Sequence, residues 1–351
     1  MSIFSRRTLI GPAILLLAVA ILYPAYWYYA AGQVEDQFAR WVKIFRAKGY
    51  SIQHGPVGVD GFPGVVRLTF ENPHLETPDK LALWQGKSAV IAMQPWDWWR
   101  YRVEFPNSQS IRLSHPNLKQ PLTAAPEKSL VLLHFHRNGR LAEGEARIIS
   151  MRVTGSASEV VATTGETWAK LSQPETPEPG PDKTQLSLSA AIENLRIPTA
   201  ADEPLGGDLQ RVQFVGDVKG ALPRDFTREG MDEWRRAGGL LESSWLNLVW
   251  GPLDLRGRGS IGLDDRLRPL ASVTTDIRGF AETLEALERA RLLKRTAAAA
   301  LRVALNVLAK PSPADGVKVL SVPLTARDGR LQVGPFQLFK LPTLSLPSRS
   351  D

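Results

Sequence analysis

Two histidines carry the spacing closest to a metal site. His134 and His136 stand two apart in an alternating stretch, which puts both imidazoles on one face of a strand. A zinc site needs further protein ligands, and no third one lies near them in sequence, so the pair reads as structural. Gly257, Gly259 and Gly262 match the glycine spacing of a dinucleotide fingerprint, which works only where a strand runs into a helix N-terminus that holds the pyrophosphate. Here the run lies within an alternating strand and ends on Asp264 and Asp265, a turn, so these glycines are expected to let the sheet bend or another element approach. No serine shows nucleophile-elbow spacing. His54, His74 and His115 stand beside Gly55, Asn72 with Pro73, and Pro116, in turn-like positions. The absence of cysteine removes thiol nucleophiles, disulfides and cysteine-ligated zinc together. A carboxylate pair of the glycosidase kind is defined in space and not in sequence, which leaves a periplasmic hydrolase as the remote alternative. The expectation is a protein that is not an enzyme, with no catalytic, cofactor-binding or metal-ligating residues and no cofactor.

The remaining residues speak of a membrane and a sheet. No charged side chain occurs from Thr8 to Val34, and about 27 helical residues reach roughly 40 Å, more than the ~30 Å hydrocarbon slab requires. Arg6 and Arg7 precede this stretch and Glu35 and Asp36 follow it, so the positive-inside rule leaves the N-terminus in the cytoplasm. Tyr23, Tyr26, Trp27, Tyr28 and Tyr29 form an aromatic belt at its far end. The small pair Ala30 and Ala31 permits the competing reading of a cleaved signal peptide, but the bulky rings before it are poor cleavage context, and an uncleaved anchor is favoured. The net charge of +7 suits an anionic partner; the arginines are scattered among apolar residues as on solvated strand faces, so the partner expected is the bilayer and not nucleic acid.

With 43% hydrophobic and 23% charged residues the 351-residue chain is expected to fold. The segments read as a cytoplasmic tail (1–7), a transmembrane anchor (8–31) and a juxtamembrane amphipathic helix (32–48) whose stripe, Val34, Phe38, Trp41, Val42 and Phe45, makes either a membrane-surface stalk or a cap on one end of the sheet domain. A first β-rich subregion (49–171), a Pro-rich loop or linker (172–183) and a second β-rich subregion (184–351) follow, the last with helices near 227–237 and 282–310. Period-two alternation marks the strands. Val66, Leu68 and Phe70 oppose Arg67, Thr69 and Glu71; Leu186, Leu188, Ala190 and Ile192 oppose Ser187, Ser189 and Glu193; Leu253, Leu255 and Ile261 oppose Asp254, Arg256 and Ser260. Further strands are expected at 110–114, 130–137, 147–154, 211–219, 245–250, 272–278, 317–325 and 331–338, with turns at Asn138–Gly139, Asp264–Asp265 and Asp328–Gly329. The fold class is mainly β with a few helices: an N-terminal transmembrane helix, then a curved, largely antiparallel sheet, taco- or sandwich-like, with one long covering helix. Trp96, Trp98, Trp99 and Tyr101 form the densest aromatic cluster beyond the anchor, either an interfacial or ligand-contacting patch or the filling of a sheet end.

Three stretches carry a resemblance: Gly49 and Tyr50 through Gly61, Phe62 and Pro63; Gln94, Pro95 and Trp96; and Asp328 to Leu331 with Gly334 and Pro335. They resemble an exported bacterial family of unknown function, DUF2125, which is distantly similar to the AsmA-like inner-membrane proteins. The resemblance implies an inner-membrane, periplasm-facing protein of the cell envelope, with a curved sheet whose apolar groove serves phospholipid movement. Val66, Leu68, Phe70, Leu253, Leu255 and Ile261 are the residues expected to line such a groove, unless the same faces close into a sandwich core. The alternative function is a structural or assembly factor that docks another envelope protein through Trp41, Trp96, Trp98 and Trp99.

Overall fold

The structure, a computed structural model, describes residues 6–115, 118–178, 180–198, 203–223, 225–293, 295–333, 336–341 and 346. Most of the tail 1–7, the loop residues Pro116 and Pro179, and Gly334 and Pro335 lie outside the described residues. The chain is mainly antiparallel β and divides into two compact units, Met1–Phe135 and His136–Asp351.

The first unit begins with α1 (Arg6–Ala47), a single 42-residue helix in which the expected anchor and juxtamembrane helix are continuous. Gly49 ends it at φ 89°, with Gly49 N–H donating to the Arg46 carbonyl (3.0 Å) and Tyr50 N–H to the Phe45 carbonyl (3.1 Å). This is the double bond of a Schellman stop, which needs a left-handed residue where only glycine is unstrained. Short strands follow: β1 (Ser51–Gln53), β2 (Val57–Asp60), β3 (Val66–Glu71), β4 (His74–Glu76), β5 (Ala82–Gly86), β6 (Ser88–Met93), β7 (Arg100–Glu104), β8 (Gln109–Leu113) and the long β9 (Leu122–Phe135).

The pairings order them into five antiparallel lanes, four of them interrupted. β1 and β2 lie against β4 and β3, which lie against β5 and β6, then against β8 and β7, and these two against β9. Pro56, Pro73 and Pro106 stand at three of the interruptions, where proline cannot donate to the ladder. Single bonds carry the pairing across the gap: Gly55 N–H to the Glu71 carbonyl (2.7 Å), Asn72 N–H to the Lys87 carbonyl (3.0 Å) and Lys87 N–H to the Ser108 carbonyl (3.0 Å). Pieces of three to six residues carry too little alternation to read as strands, which is why β1, β2 and β4 to β7 were not expected from sequence.

The second unit is a meander of longer strands: β10 (Leu141–Thr154), β11 (Val160–Ser172), β12 (Thr184–Arg196), β13 (Asp208–Lys219), then α2 (Arg228–Arg236), β14 (Leu240–Trp250), β15 (Leu253–Leu263) and β16 (Pro269–Arg278). After α3 (Phe280–Arg289) and α4 (Arg295–Leu308) come β17 (Lys310–Pro311), β18 (Lys318–Arg327), β19 (Arg330–Val333) and β20 (Phe336–Lys340). Each strand from β10 to β16 pairs with the next, β16 pairs with β18, and β19 and β20 extend the sheet, which stays open. Asp328 (φ 54°) and Gly329 (φ 68°) make the expected tight turn between β18 and β19, both residues left-handed as a type I′ hairpin demands. The Pro-rich segment 172–183 connects β11 to β12, which pair with each other. The division between compact units falls earlier, at 135/136.

The single covering helix expected over 282–310 is two helices. Arg291 turns left-handed (φ 60°) and the chain folds back, with Arg302 held 3.4 Å from Glu288 across the pair. A straight helix of that length would run roughly 43 Å and carry its second half away from the strands; the hairpin sets Leu284 of α3 and Leu305 of α4 in one core with Ile277, Leu320 and Val322.

In the first unit the corresponding core is Trp27, Ala30, Ala31 and Val34 of α1 against Val66, Leu68, Phe70 and Met93. Leu68 is fully enclosed (0% exposed). Leu68→Ala is expected to cost about 2–5 kcal/mol of stability, whereas Thr69→Ala, on the other face of β3, should stay within about 0.5 kcal/mol; denaturant unfolding of the detergent-solubilised chain measures both.

Candidate functional site

The alternating residues of β3 point at α1. Val66, Leu68 and Phe70 lie beneath Trp27, Ala30, Ala31 and Val34, with Phe38 4.3 Å from Phe70 between ring centroids. Alanines at 30 and 31 remove bulk where helix and strand approach most closely. Three hydrogen bonds fix the register. Tyr23 Oη donates to the Pro63 carbonyl (2.5 Å), Tyr26 Oη to the Pro95 carbonyl (2.6 Å) and Trp27 Nε1 to the Val65 carbonyl (3.1 Å). Three of the six residues expected in a groove thus form a closed core, filled by the protein's own helix.

The aromatic candidates divide. Trp98 donates from Nε1 to Tyr26 Oη (3.2 Å) and packs against the α1–β3 core. Trp96 and Trp99 are exposed, and Trp41 stacks between Phe38 and Phe45 with one side open to solvent.

The other three groove candidates lie in the second unit, whose strand registers line up side chains row by row. In one row Ile148, Thr167, Ile192, Val212, Leu248 and Leu255 stand side by side on six consecutive strands. The next row on the same face is Ala146, Ala169, Ala190, Phe214, Leu246 and Gly257, and a further one holds Leu186, Val218, Leu241 and Ile261. The opposite face carries Arg147, Trp168, Ala191, Gln213, Asn247, Arg256 and Asp276 in one row and Ser187, Asp217, Glu242 and Ser260 in another. The first set of rows is therefore mainly apolar, while the opposite face is mainly polar, with Trp168 and the buried Ala191 as its apolar members.

Cover on the apolar face is unequal. Around Leu253 and Leu255 it is closed by the α3–α4 hairpin. On β10 to β14, Ile148, Ile192, Val212, Leu246 and Leu248 are only half-buried and Ala169 is exposed. Glycines stand where neighbouring backbone comes closest on this face. A side-chain carbon on Gly216 would lie 2.4 Å from the Glu242 carbonyl oxygen, and one on Gly259 2.1 Å from that of Ser272, so the neighbouring backbone rises over both positions. Gly257, Gly259 and Gly262 are thus strand residues of β15 running into a turn, without a helix N-terminus to hold a phosphate.

Two polar recesses lie among the described residues. One of about 440 Å³ lies along the proline break of the first unit, walled by Asn72, His74, Gln85, Lys87, Ser108 and Gln109, with no carboxylate on its wall. Buried Gln109 accepts there from Trp84 Nε1 (3.0 Å). The other, about 390 Å³, lies between strand ends of the second unit, where Arg196 and Asp208 pair at 2.7 Å. Among the described residues no three His, Asp or Glu side chains converge as metal ligands, and His136 Nε2 lies 3.0 Å from the Gln173 carbonyl oxygen.

A bacterial family model, described as an uncharacterized protein conserved in bacteria (DUF2125), matches residues 27–342. The chain belongs to this family. Comparison with curated proteins and with solved structures gives no match. The DUF2125 region opens at Trp27, the first α1 residue buried on β3, so the family domain includes the packed half of the helix. Trp27, Ala30 and Ala31 are the residues whose role sequence reasoning missed. Their spacing continues the stripe of Val34, Phe38 and Val42, but small and aromatic residues beside a membrane span read equally as belt and cleavage motif.

Cleavage after Ala31 would strip Trp27, Ala30 and Ala31 out of the core. The intact mass of the protein from membranes is expected to be that of the uncleaved chain. Trp27→Ala, which also orphans the Val65 carbonyl, should lower stability by about 3–5 kcal/mol, measured as earlier unfolding and faster proteolysis.

Proposed function

We propose that this DUF2125 protein is a non-enzymatic, single-pass protein of the cell inner membrane, with its N-terminus cytoplasmic and its bulk periplasmic. Its task in this reading is to hold the acyl chains of phospholipid on the apolar face of β10 to β14. The observation that carries it is the apolar rows at Ile192, Val212 and Leu248, which stay half-buried among the described residues while α3 and α4 pack against Leu253 and Leu255. An apolar sheet face left to water is unfavourable by ~25 cal/mol per Å², so it calls for an occupant. The chain's own membrane-crossing helix keeps it beside the most abundant apolar ligand of the envelope. Moving an acyl chain from bilayer to protein exchanges one apolar medium for another, so the free-energy change is small, as suits a carrier that must load and release.

Photo-crosslinking tests the site directly. With p-benzoylphenylalanine placed at Leu248 or Val212 in phosphate-labelled cells, a labelled lipid adduct is expected at both positions and none at the exposed Arg256, on the opposite face. Protein without label at Leu248 and Val212 would remove the lipid reading. A second reading, docking of another envelope protein, is favoured by the exposure of Trp41 and Ile44 on one stretch of α1; Trp41→Ala abolishing a pull-down, with lipid crosslinking unchanged, would support it.

The topology has its own test. An alkaline phosphatase fused after Asp351 is expected to be active and a fluorescent protein that matures only in cytoplasm to be dark. Moving Arg6 and Arg7 to the flank of Glu35 and Asp36 should scramble the two outcomes.

A further inference from the structure

We infer that two loops of the first unit, the β2–β3 loop at Phe62 and the β6–β7 loop at Trp96, insert into the outer interface of the bilayer that α1 crosses. The inference rests on the reading of α1 as a membrane anchor and goes beyond it: the folded unit itself touches the lipid at defined places.

The helix supplies the depth scale. From Thr8 to Trp27 is 19 residues, about 29 Å of helix, which matches the hydrocarbon slab. Tyr23 lies four residues, or about 6 Å, inside that limit and Tyr26 just inside it. The loops are tied to these two residues. Tyr23 bonds the Pro63 carbonyl and its ring lies 6.2 Å from Phe62, and Tyr26 bonds the Pro95 carbonyl next to Trp96.

Both loops therefore sit where the span meets the headgroups, and both present large apolar side chains outward. Phe62 is 50% exposed and Trp96 61%. No charge occurs from Gly61 to Val65, and in the second loop the single carboxylate, Asp97, is turned back onto the Trp99 N–H (3.3 Å) and Arg100 (3.5 Å). In water these rings would be a cost; in the headgroup layer aromatic side chains are favoured.

The unit is also rigid on this axis. Trp27 meets Val65 and Phe38 meets Phe70, so eleven helical residues and five strand residues cover the same distance, ~17 Å by either rise. The lower end of β3 is at the membrane, and its upper end, beside Lys87, stands that far above it.

Because the chain has no cysteine, single cysteines report without background. Full-length Gly64→Cys, Trp96→Cys, Leu16→Cys and Lys87→Cys would each carry an environment-sensitive fluorophore in vesicles of phosphatidylcholine and phosphatidylglycerol, quenched by spin-labelled lipid. Gly64 faces open space, so labelling there leaves Phe62 and the core in place. Strong loss of fluorescence is expected at Leu16, Gly64 and Trp96, and little at Lys87. Quenching at Leu16 with Gly64 and Trp96 as unaffected as Lys87 overturns loop insertion while the anchor stands. No quenching at any position, Leu16 included, overturns the anchor reading and this inference with it.

Discussion

The first unit depends on one contact, α1 against β3. A helix long and apolar enough to cross a bilayer needs only an apolar surface, but α1 continues unbroken and from Trp27 onward also serves as the lid of a sheet. In its first part Ile14 to Leu22 are apolar without a preferred face, and the large side chains among them are exposed. From Trp27 onward the apolar residues narrow to one stripe, and alanines take the positions of closest approach. Take the helix away and Val66, Leu68 and Phe70 become an open apolar strand face. The apolar helix and the fold of the first unit are therefore one structural element.

The second unit solves the same problem only in part. Its apolar face is covered where the α3–α4 hairpin brings Leu284 and Leu305 over Ile277 and Leu320, and left half-covered over β10 to β14. Glycines at 216 and 259 leave that side open to the neighbouring backbone, whose carbonyl oxygens would lie 2.4 and 2.1 Å from a side-chain carbon there. The polar face needs no such device. Cross-strand ion pairs such as Arg147 with Glu166 and Arg211 with Glu193 lie in water on that side, where each is worth at most about 1 kcal/mol and serves register more than stability.

The fold was legible wherever alternation ran long enough. Leu253 to Leu263 reads as a strand and is one, and the expected strands at 186–193 and 211–219 lie inside β12 and β13. It was illegible where proline cut the strands of the first unit into pieces, because a three-residue strand has no period to detect. The 282–310 segment shows helical spacing throughout, and nothing in that spacing marks the reversal at Arg291, which is set by the core the two halves share. The candidate site was legible as a set of apolar faces and no further. Alternation at Val66, Leu68 and Phe70 is indistinguishable from that at Leu186, Leu188 and Ile192, yet one face is sealed by a helix and the other is not. What covers a strand is decided by elements distant in sequence, so burial by α1 needed the structure.

The dimensions of the half-covered face bear on what can occupy it. β10 to β14 run 11 to 14 residues, so at ~3.3 Å per residue each strand is roughly 36–46 Å long. The rows run across the strands, and six strands about 4.8 Å apart span roughly 24 Å, against about half of the ~30 Å slab for one leaflet of hydrocarbon. A pocket built to select one small ligand would be shorter and would set polar groups among its apolar walls. The rows at Ile192 and Phe214 carry one polar side chain, Thr167, and present mainly methyl, methylene and ring surface. Apart from Thr167, such a surface sets no polar group at a fixed place along the two rows by which a small ligand could be oriented, which separates it from a pocket of that kind.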